Sequence, residues 1–370
     1  MKILVTGGCG FIGSHLVDRL VKESHKVKVY DSLEPQVHLG KKPSFLNKRA
    51  EYIFADIRNK NKLKEALKGI DIVFHLASQV GVGQSMYEIE KYVSHNLQGT
   101  ALLLNLIVNM ENKIKKIIVA SSMSIYGEGA YLCTRCGLVH PQLRGERQLK
   151  KKAWEMKCPQ CDRIVKNIPT SEDKPLFPTS IYATTKRSQE EMCLEVGLAY
   201  KIPTVALRYF NVYGPRQSLS NPYTGVAAIF LSRVKNNKPP LVFEDGKQSR
   251  DFVYVSDIVE ASVLAMEKKE ANYDFLNVGT GRCCTILDIA QTIISLYKKD
   301  LKPKILHRFR AGDVRHCYAN ISKAKKKLGF RPKVSFREGM IRLIEWSQNQ
   351  KASDFTQKAH LELKIRGLAQ

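Results

Sequence analysis

The chain has 370 residues, a formal charge of +25 and 44% hydrophobic residues, enough apolar material for one large or two fused domains with a sizeable core. No apolar run approaches the length of a membrane-spanning helix. The N-terminus opens directly on a core strand, which leaves no room for a signal peptide, so the expected compartment is cytoplasmic and the nine cysteines read as thiols or metal ligands rather than disulfides.

Ile3-Leu4-Val5 forms a short apolar strand that runs into Thr6-Gly7-Gly8-Cys9-Gly10-Phe11-Ile12-Gly13 and then an amphipathic helix. Gly7, Gly10 and Gly13 allow a tight turn whose N–H groups and helix dipole face a pyrophosphate. A second strand, Val27 to Tyr30, ends in Asp31, which can accept both hydroxyls of an adenosine ribose. A carboxylate there favours NAD over NADP, because a 2′-phosphate would meet like charge.

A polar loop follows to Lys48, then a third strand, Tyr52 to Ile57, with Asp56 at its exit, positioned to reach the adenine end of the cofactor. Asn61 to Lys68 has helical spacing, and Asp71 to Ala77 reads as a strand buried on both faces. His75 within it reads as a satisfied core histidine. A long helix from Tyr92 ends before Lys115, and Lys116 to Ser122 is the next strand. This alternation predicts an α/β doubly wound parallel sheet of the Rossmann type, with the ligand crevice at the carboxyl ends of the strands.

Between Glu128 and Thr170 the pattern breaks into a polar, Lys-rich insert. It carries Cys133-Thr134-Arg135-Cys136 and Cys158-Pro159-Gln160-Cys161, separated by 21 residues (137–157). Two C-x-x-C turns complete a four-sulfur tetrahedral shell, so Cys133, Cys136, Cys158 and Cys161 are expected to hold a structural zinc in a ribbon. Beyond the insert, Thr179-Ser180 caps a helix bearing Tyr182 and Lys186 on one face. The lysine and an adjacent oxidised nicotinamide would lower the phenol toward working pH.

Thr6 to Gly13, Asp31, Ser121-Ser122 with Tyr126-Gly127, Tyr182 with Lys186, Arg208 to Asn211 with Gly214-Pro215-Arg216, and Arg250 to Val253 together resemble the extended short-chain dehydrogenase/reductases. The similarity runs to about residue 345 and is strongest to NAD-dependent nucleotide-sugar 4-epimerases. The insert and the tail Leu361 to Leu368 resemble those of dTDP-L-rhamnose 4-epimerases.

The resemblance implies that Tyr182 removes the sugar O4 proton while C4 gives hydride to NAD, that Ser122 hydrogen-bonds the same oxygen, and that Lys186 holds the nicotinamide ribose. Rotation of the 4-keto sugar and hydride return invert C4. Cofactor contacts fall on Gly7, Gly10, Phe11, Ile12, Gly13, Asp31, Asp56, Ile57, Ala77, Asn96, Tyr182, Lys186 and Phe210. Asn96 has an alternative as a structural amide.

Substrate contacts fall on Ser122, Ser124, Asn211, Phe243, Arg250, Arg310 and Asp313, with Asn211 and Arg250 on the diphosphate and Phe243 packing the base. Phe243 as core and Arg310–Asp313 as a surface pair are the bland alternatives. Cys317 falls where related epimerases gate the sugar pocket.

Dehydratases of the family need an acid pair where this chain has Met123 and Ser124, and decarboxylases keep the Glu, so both are disfavoured. The expected organisation is an NAD-binding domain at 1–210 interrupted by the insert at 128–170, a smaller, mainly substrate-binding domain at 211–345, and a helical tail at 346–370. A homodimer through the helices of Tyr92 and Tyr182 is implied by the resemblance.

The expected partner is a nucleoside-diphosphate sugar, dTDP-L-rhamnose first, with UDP-glucose/UDP-galactose or UDP-glucuronate as alternatives. Lysines are spread without interleaved aromatics, which speaks against nucleic acid. A non-catalytic NAD- or RNA-binding chain on this fold is the alternative of another class.

Overall fold

The computed structural model describes residues 1–111 and 113–369; Gln370, the last residue of the expected tail, lies outside them. In chain order the elements that build the sheet are β1 (Lys2–Thr6), α1 (Phe11–Lys22), β2 (Lys26–Asp31), β3 (Glu51–Phe54), α2 (Lys60–Leu67), β4 (Ile72–His75), α3 (Gly99–Asn109) and β5 (Lys116–Ser122). After the insert come α4 (Ile181–Tyr200), β6 (Thr204–Tyr209), α5 (Val255–Glu267) and β7 (Asp274–Val278).

These seven strands form one parallel sheet in the order β7-β6-β5-β4-β1-β2-β3. The chain winds outward both ways from β1, so the carboxyl ends of β1 and β4 diverge at a switch point where a ligand crevice opens. Thr6 pairs with both Tyr30 and His75 in register, which brings the glycine turn, Asp31 and the exit of β4 to one edge.

Period-two alternation explains why the strands read as continuous apolar runs. Ile3 and Val5 pack on one face with Leu16, Leu20 and Ile258 of α1 and α5, while Leu4 packs on the other with Leu63 and Leu103. A separate core joins Tyr213, Phe230, Phe252, Ile289 and Leu343, residues that follow the sixth strand. The insert has a third, small core around Tyr131, Val139, Met156 and Val165.

Some expectations need correction. The third strand stops at Phe54; Ala55 still donates to the Asp31 carbonyl, but Asp56 and Ile57 lie beyond it. The long helix from Tyr92 is broken into Ile89–Val93, a π-helical stretch at Ser94–Gln98, and α3. At the tail, Phe336–Gln348 ends as it begins, and a further helix, α6 (Thr356–Ile365), follows a loop. No helix among the described residues is long and apolar enough to cross a membrane.

Candidate active site

The glycine turn shows why glycine is needed. Gly7 has φ +72°, and a Cβ there would stand 2.8 Å from the Ala77 nitrogen. A Cβ on Gly13 would stand 2.2 Å from the Gly7 carbonyl oxygen, so α1 can start this close to the turn only without a side chain. The Asp31 carboxylate accepts from the Cys9 N–H at 2.9 Å and the Leu33 N–H at 2.8 Å, which ties the turn to the end of β2.

A cavity of about 680 Å³ opens at this edge. Gly7, Gly10, Phe11, Ile12, Gly13, Asp31, Ile57 and Ala77 line one end, and Asn211, Phe243, Arg250, Arg310 and Asp313 line other parts of it. Ser122, Ser124, Tyr182, Lys186 and Phe210 are also in its wall. An adenosine diphosphate fits the chemistry of the first end, with a cradle that a Cβ would fill and a carboxylate beside it.

At the exit of β5, Ser122 Oγ accepts from the Ser124 N–H at 3.2 Å and the Ser124 hydroxyl at 2.9 Å. Ser122 in turn hydrogen-bonds Tyr182 and favours its phenolate, but burial of the ring outweighs this and raises the phenol above its ordinary value. The expected lowering by Lys186 is not present in the protein alone. The ammonium donates to Gln189 Oε1 at 2.9 Å, and burial pulls its pKa down to about 8. Ser180 caps α4 by accepting from the Ala183 N–H, which fixes the turn that carries Tyr182.

Two expected cofactor residues stand outside the cavity wall. Asp56 is held by three donors of Arg58 and its carboxyl is lowered to about 2, first by that side-chain hydrogen bond. Asn96 is fully buried; its oxygen accepts from the Gln79 N–H at 2.7 Å, and its amide nitrogen donates to the Gln79 carbonyl and Thr185 Oγ1. It therefore binds the loop after β4 to α4.

Cys317 stands outside the cavity wall. It is buried with Tyr126, Phe210, Ala319 and Ile321, and burial pushes its thiol up to about 12.

On the substrate side, Asn211 Oδ1 is buried without a partner among the described residues. Arg250 donates to the backbone carbonyls of Ser249, Val314 and Arg315, so it also fastens the segment beyond Asp313. Arg310 and Asp313 are ion-paired at 2.7 Å, and the Arg310 guanidinium lies 4.6 Å from the Phe243 ring centre. Phe243 directly follows the short strand Leu241–Val242.

Sequence reasoning missed Gln217, Tyr223, Gln248 and the tail residues Ala359, His360 and Leu363, which also line the cavity. No spacing signal marks them.

In the insert, the strands Ala130–Cys133, Gly137–Val139 and Lys166–Ile168 form an antiparallel sheet. The sulfurs of Cys133, Cys136, Cys158 and Cys161 lie within 4.8 Å of one another. Backbone N–H groups of Arg135 and Cys136 lower the Cys133 thiol to about 6.

A family model described as NAD dependent epimerase/dehydratase matches residues 3–140, and one described as GDP-mannose 4,6 dehydratase matches 164–343. Met123 and Ser124 lie in the first match. The dTDP-L-rhamnose 4-epimerase of Burkholderia thailandensis is 35% identical over 93% of this chain and 94% of its own length. The UDP-glucose 4-epimerase structure from Thermotoga maritima superposes with TM-score 0.77 at 32% identity, covering 94% of this chain and 99% of that one. The UDP-glucuronic acid 4-epimerase from Bacillus cereus, solved with NAD, gives 0.78 at 31%, covering 94% and 99%. Likeness of this extent in both sequence and fold makes the chain a member of the NAD-dependent epimerase/dehydratase family, an extended short-chain dehydrogenase/reductase of the nucleotide-sugar 4-epimerase class and therefore an isomerase.

Proposed function

We propose that the chain inverts C4 of dTDP-L-rhamnose through a transient 4-keto sugar. The observation that carries the chemistry is the donor chain Ser124 to Ser122 to Tyr182 opening into the same cavity as the glycine turn. Donors arranged in series polarise one another and stabilise a phenolate at their end. Tyr182 Oη takes the O4 proton, and Ser122 steadies that oxygen. Lys186, at one helical turn from Tyr182, supplies positive charge beside the phenol when protonated. Bound NAD supplies the hydride acceptor and donor at C4.

The diphosphate falls to Asn211 and Arg250, with Arg310 and Asp313 toward the second phosphate and the nucleotide ribose. Phe243 takes the base. Asn96 and Asp56 act on the cofactor side through the loops they hold.

Support for dTDP-L-rhamnose is the Burkholderia relative, whose match covers 93% of this chain. The UDP-sugar epimerases among the solved structures favour the alternative, UDP-glucose/UDP-galactose or UDP-glucuronate. Incubating pure protein separately with the three substrates and following the sugar ring protons by NMR is expected to give the C4 epimer fastest from dTDP-L-rhamnose. A faster UDP-sugar would reassign the substrate; no epimer from any, with tight and salt-sensitive RNA binding, would replace catalysis with a binding role.

We assign the insert cysteines to one structural zinc, because four clustered protein sulfurs leave no open position on the metal. Metal analysis after purification without chelator should give about one equivalent per chain, as the four-sulfur set requires. Less than half, with other transition metals absent, would reject the site. A cytoplasmic homodimer completes the reading: Ile89 and Val93, exposed on a helix packed against α4, offer apolar surface for a second copy.

A further inference from the structure

The cavity has a wall to which the family resemblance gives no role. Helix α6 and the turn after it contribute Thr356, Ala359, His360, Leu363 and Leu368 to the lining. This segment is tied down along its length. Before the helix, the buried Asp354 carboxylate pairs with Arg233 at 3.0 Å. Within it, Glu362 accepts from the hydroxyls of Tyr87 at 3.0 Å and Tyr223 at 2.8 Å. After it, the Ala311 N–H donates to the Leu368 carbonyl at 2.9 Å. The helix thus bridges residues that follow β4 on one side and the Arg310 loop on the other.

His360 sits where these connections place it against Phe243, with ring centres 5.6 Å apart and planes inclined at 57°. Its Nδ1 is buried and has no partner among the described residues. Gln248 contacts the same phenylalanine. It is 6% exposed, its Nε2 donates to the Phe243 carbonyl at 2.9 Å, and its Oε1 is also buried without a partner. Both side chains line the cavity.

A buried polar atom left unpaired is costly, so two beside one aromatic residue call for a ligand that pairs them. Uracil or thymine presents a flat face for the ring and an edge that alternates carbonyl, N–H and carbonyl. Gln248 Oε1 is an acceptor suited to that N–H, and an imidazole N–H is a donor suited to a carbonyl. Burial first, then Arg308, Arg310 and Lys364, lower the His360 pKa, so the ring is neutral and can carry a single proton on either nitrogen.

We propose that His360, delivered by the C-terminal helix, is a specificity-determining contact to the pyrimidine base of the nucleotide-sugar substrate, acting with Gln248 around Phe243. The inference rests on the nucleotide-sugar reading of the cavity. It gives the tail a function: the base is read by a segment remote in sequence from the sheet.

Calorimetry on the full chain tests it with TDP, UDP and, as a probe without a base, inorganic pyrophosphate. His360→Ala is expected to weaken TDP and UDP about tenfold, the loss of one good hydrogen bond, while leaving pyrophosphate unchanged. His360→Asn, which keeps a donor and an acceptor, should recover most of the loss, and the NAD content of each variant checks that it has folded. Unchanged TDP and UDP affinity in His360→Ala, an equal loss for pyrophosphate, or no recovery in His360→Asn would each overturn the proposal while leaving the epimerase reading in place. If the unaltered protein binds neither TDP nor UDP, the nucleotide-sugar reading fails and takes this contact with it.

Discussion

Lys186 is only 4% exposed, and what holds it is a chain of neutral groups rather than a counter-ion. Its ammonium donates to Gln189, whose amide donates to Thr100 at 2.8 Å; Thr100 also bonds His75 at 2.9 Å, and His75 bonds Thr6 at 2.8 Å. Thr6 Oγ1 accepts from the Ala77 N–H, so the chain runs from α4 to β1 and the glycine turn. Burial, with the Lys186 charge second, lowers His75 to about 3. The native imidazole stays neutral where the unfolded one, near 6.5, takes a proton. Wild-type stability should therefore fall relative to His75→Gln as pH drops from 6.5 toward 3, by about tenfold in the folding equilibrium per pH unit. Urea titrations at pH 7, 5 and 4 check this; a constant gap between the two proteins contradicts it. With Tyr182 as the acid–base group proposed, Tyr182→Phe should lower kcat by about 10²–10⁴-fold, the usual worth of such a positioned group, with NAD content unchanged.

At the scale of the element, the glycine turn and the loop after β4 form one unit. The Gly7 position lies against the backbone of Leu76 and Ala77, and Asn96 holds Gln79 from the other side. The π-helical stretch at Ser94–Gln98 includes that asparagine, at a place where a regular helix would direct its side chain differently. Gly13→Ala separates two effects. Alanine favours helix over glycine by about 1 kcal/mol, yet its Cβ would meet the Gly7 carbonyl oxygen at 2.2 Å and the Gly8 Cα at 2.7 Å. A backbone overlap of that size has to move the turn, so NAD in the purified variant, read by absorbance after denaturation, should drop at least about tenfold. Retention of full NAD with raised stability would show that helix propensity wins.

Across the whole molecule, the insert is joined to the substrate side by buried charges. Glu244 accepts both terminal nitrogens of Arg144 at 2.9 Å and one of Arg315 at 2.9 Å, and the three side chains are 0–2% exposed. Arg315 also pairs with Asp245 and with Glu155 of the insert, and Arg144 reaches the Asp313 carbonyl at 3.2 Å. Phe243 and Arg310 therefore hang on segments that the insert holds. Removing one partner of a buried pair costs about 3–5 kcal/mol, because the other charge stays buried. Glu244→Gln should lose stability in that range by chemical denaturation and raise KM for the nucleotide sugar with NAD content unchanged. A loss below about 1 kcal/mol would mean that the cluster is solvent-screened and does not couple the two regions.

The sequence by itself determined the parts that local chemistry dictates. The sheet was legible because strands buried on both faces need continuous apolar runs, and the turn because Gly7 and Gly13 sit where no side chain fits. That Ser122, Tyr182 and Lys186 share one cavity wall was legible through their order behind that turn, and the meeting of the four cysteines through their two short spacings. Tertiary structure decided what depends on distant segments meeting. Burial raised Tyr182 where neighbouring charge had been expected to lower it, and Arg58 took Asp56. Packing buried Cys317 beside Tyr126 and Phe210 and brought His360 and Leu363 into the cavity wall. A side chain's partners across the fold leave no periodicity to read. Its desolvation depends on everything packed around it, and only the folded chain sets that.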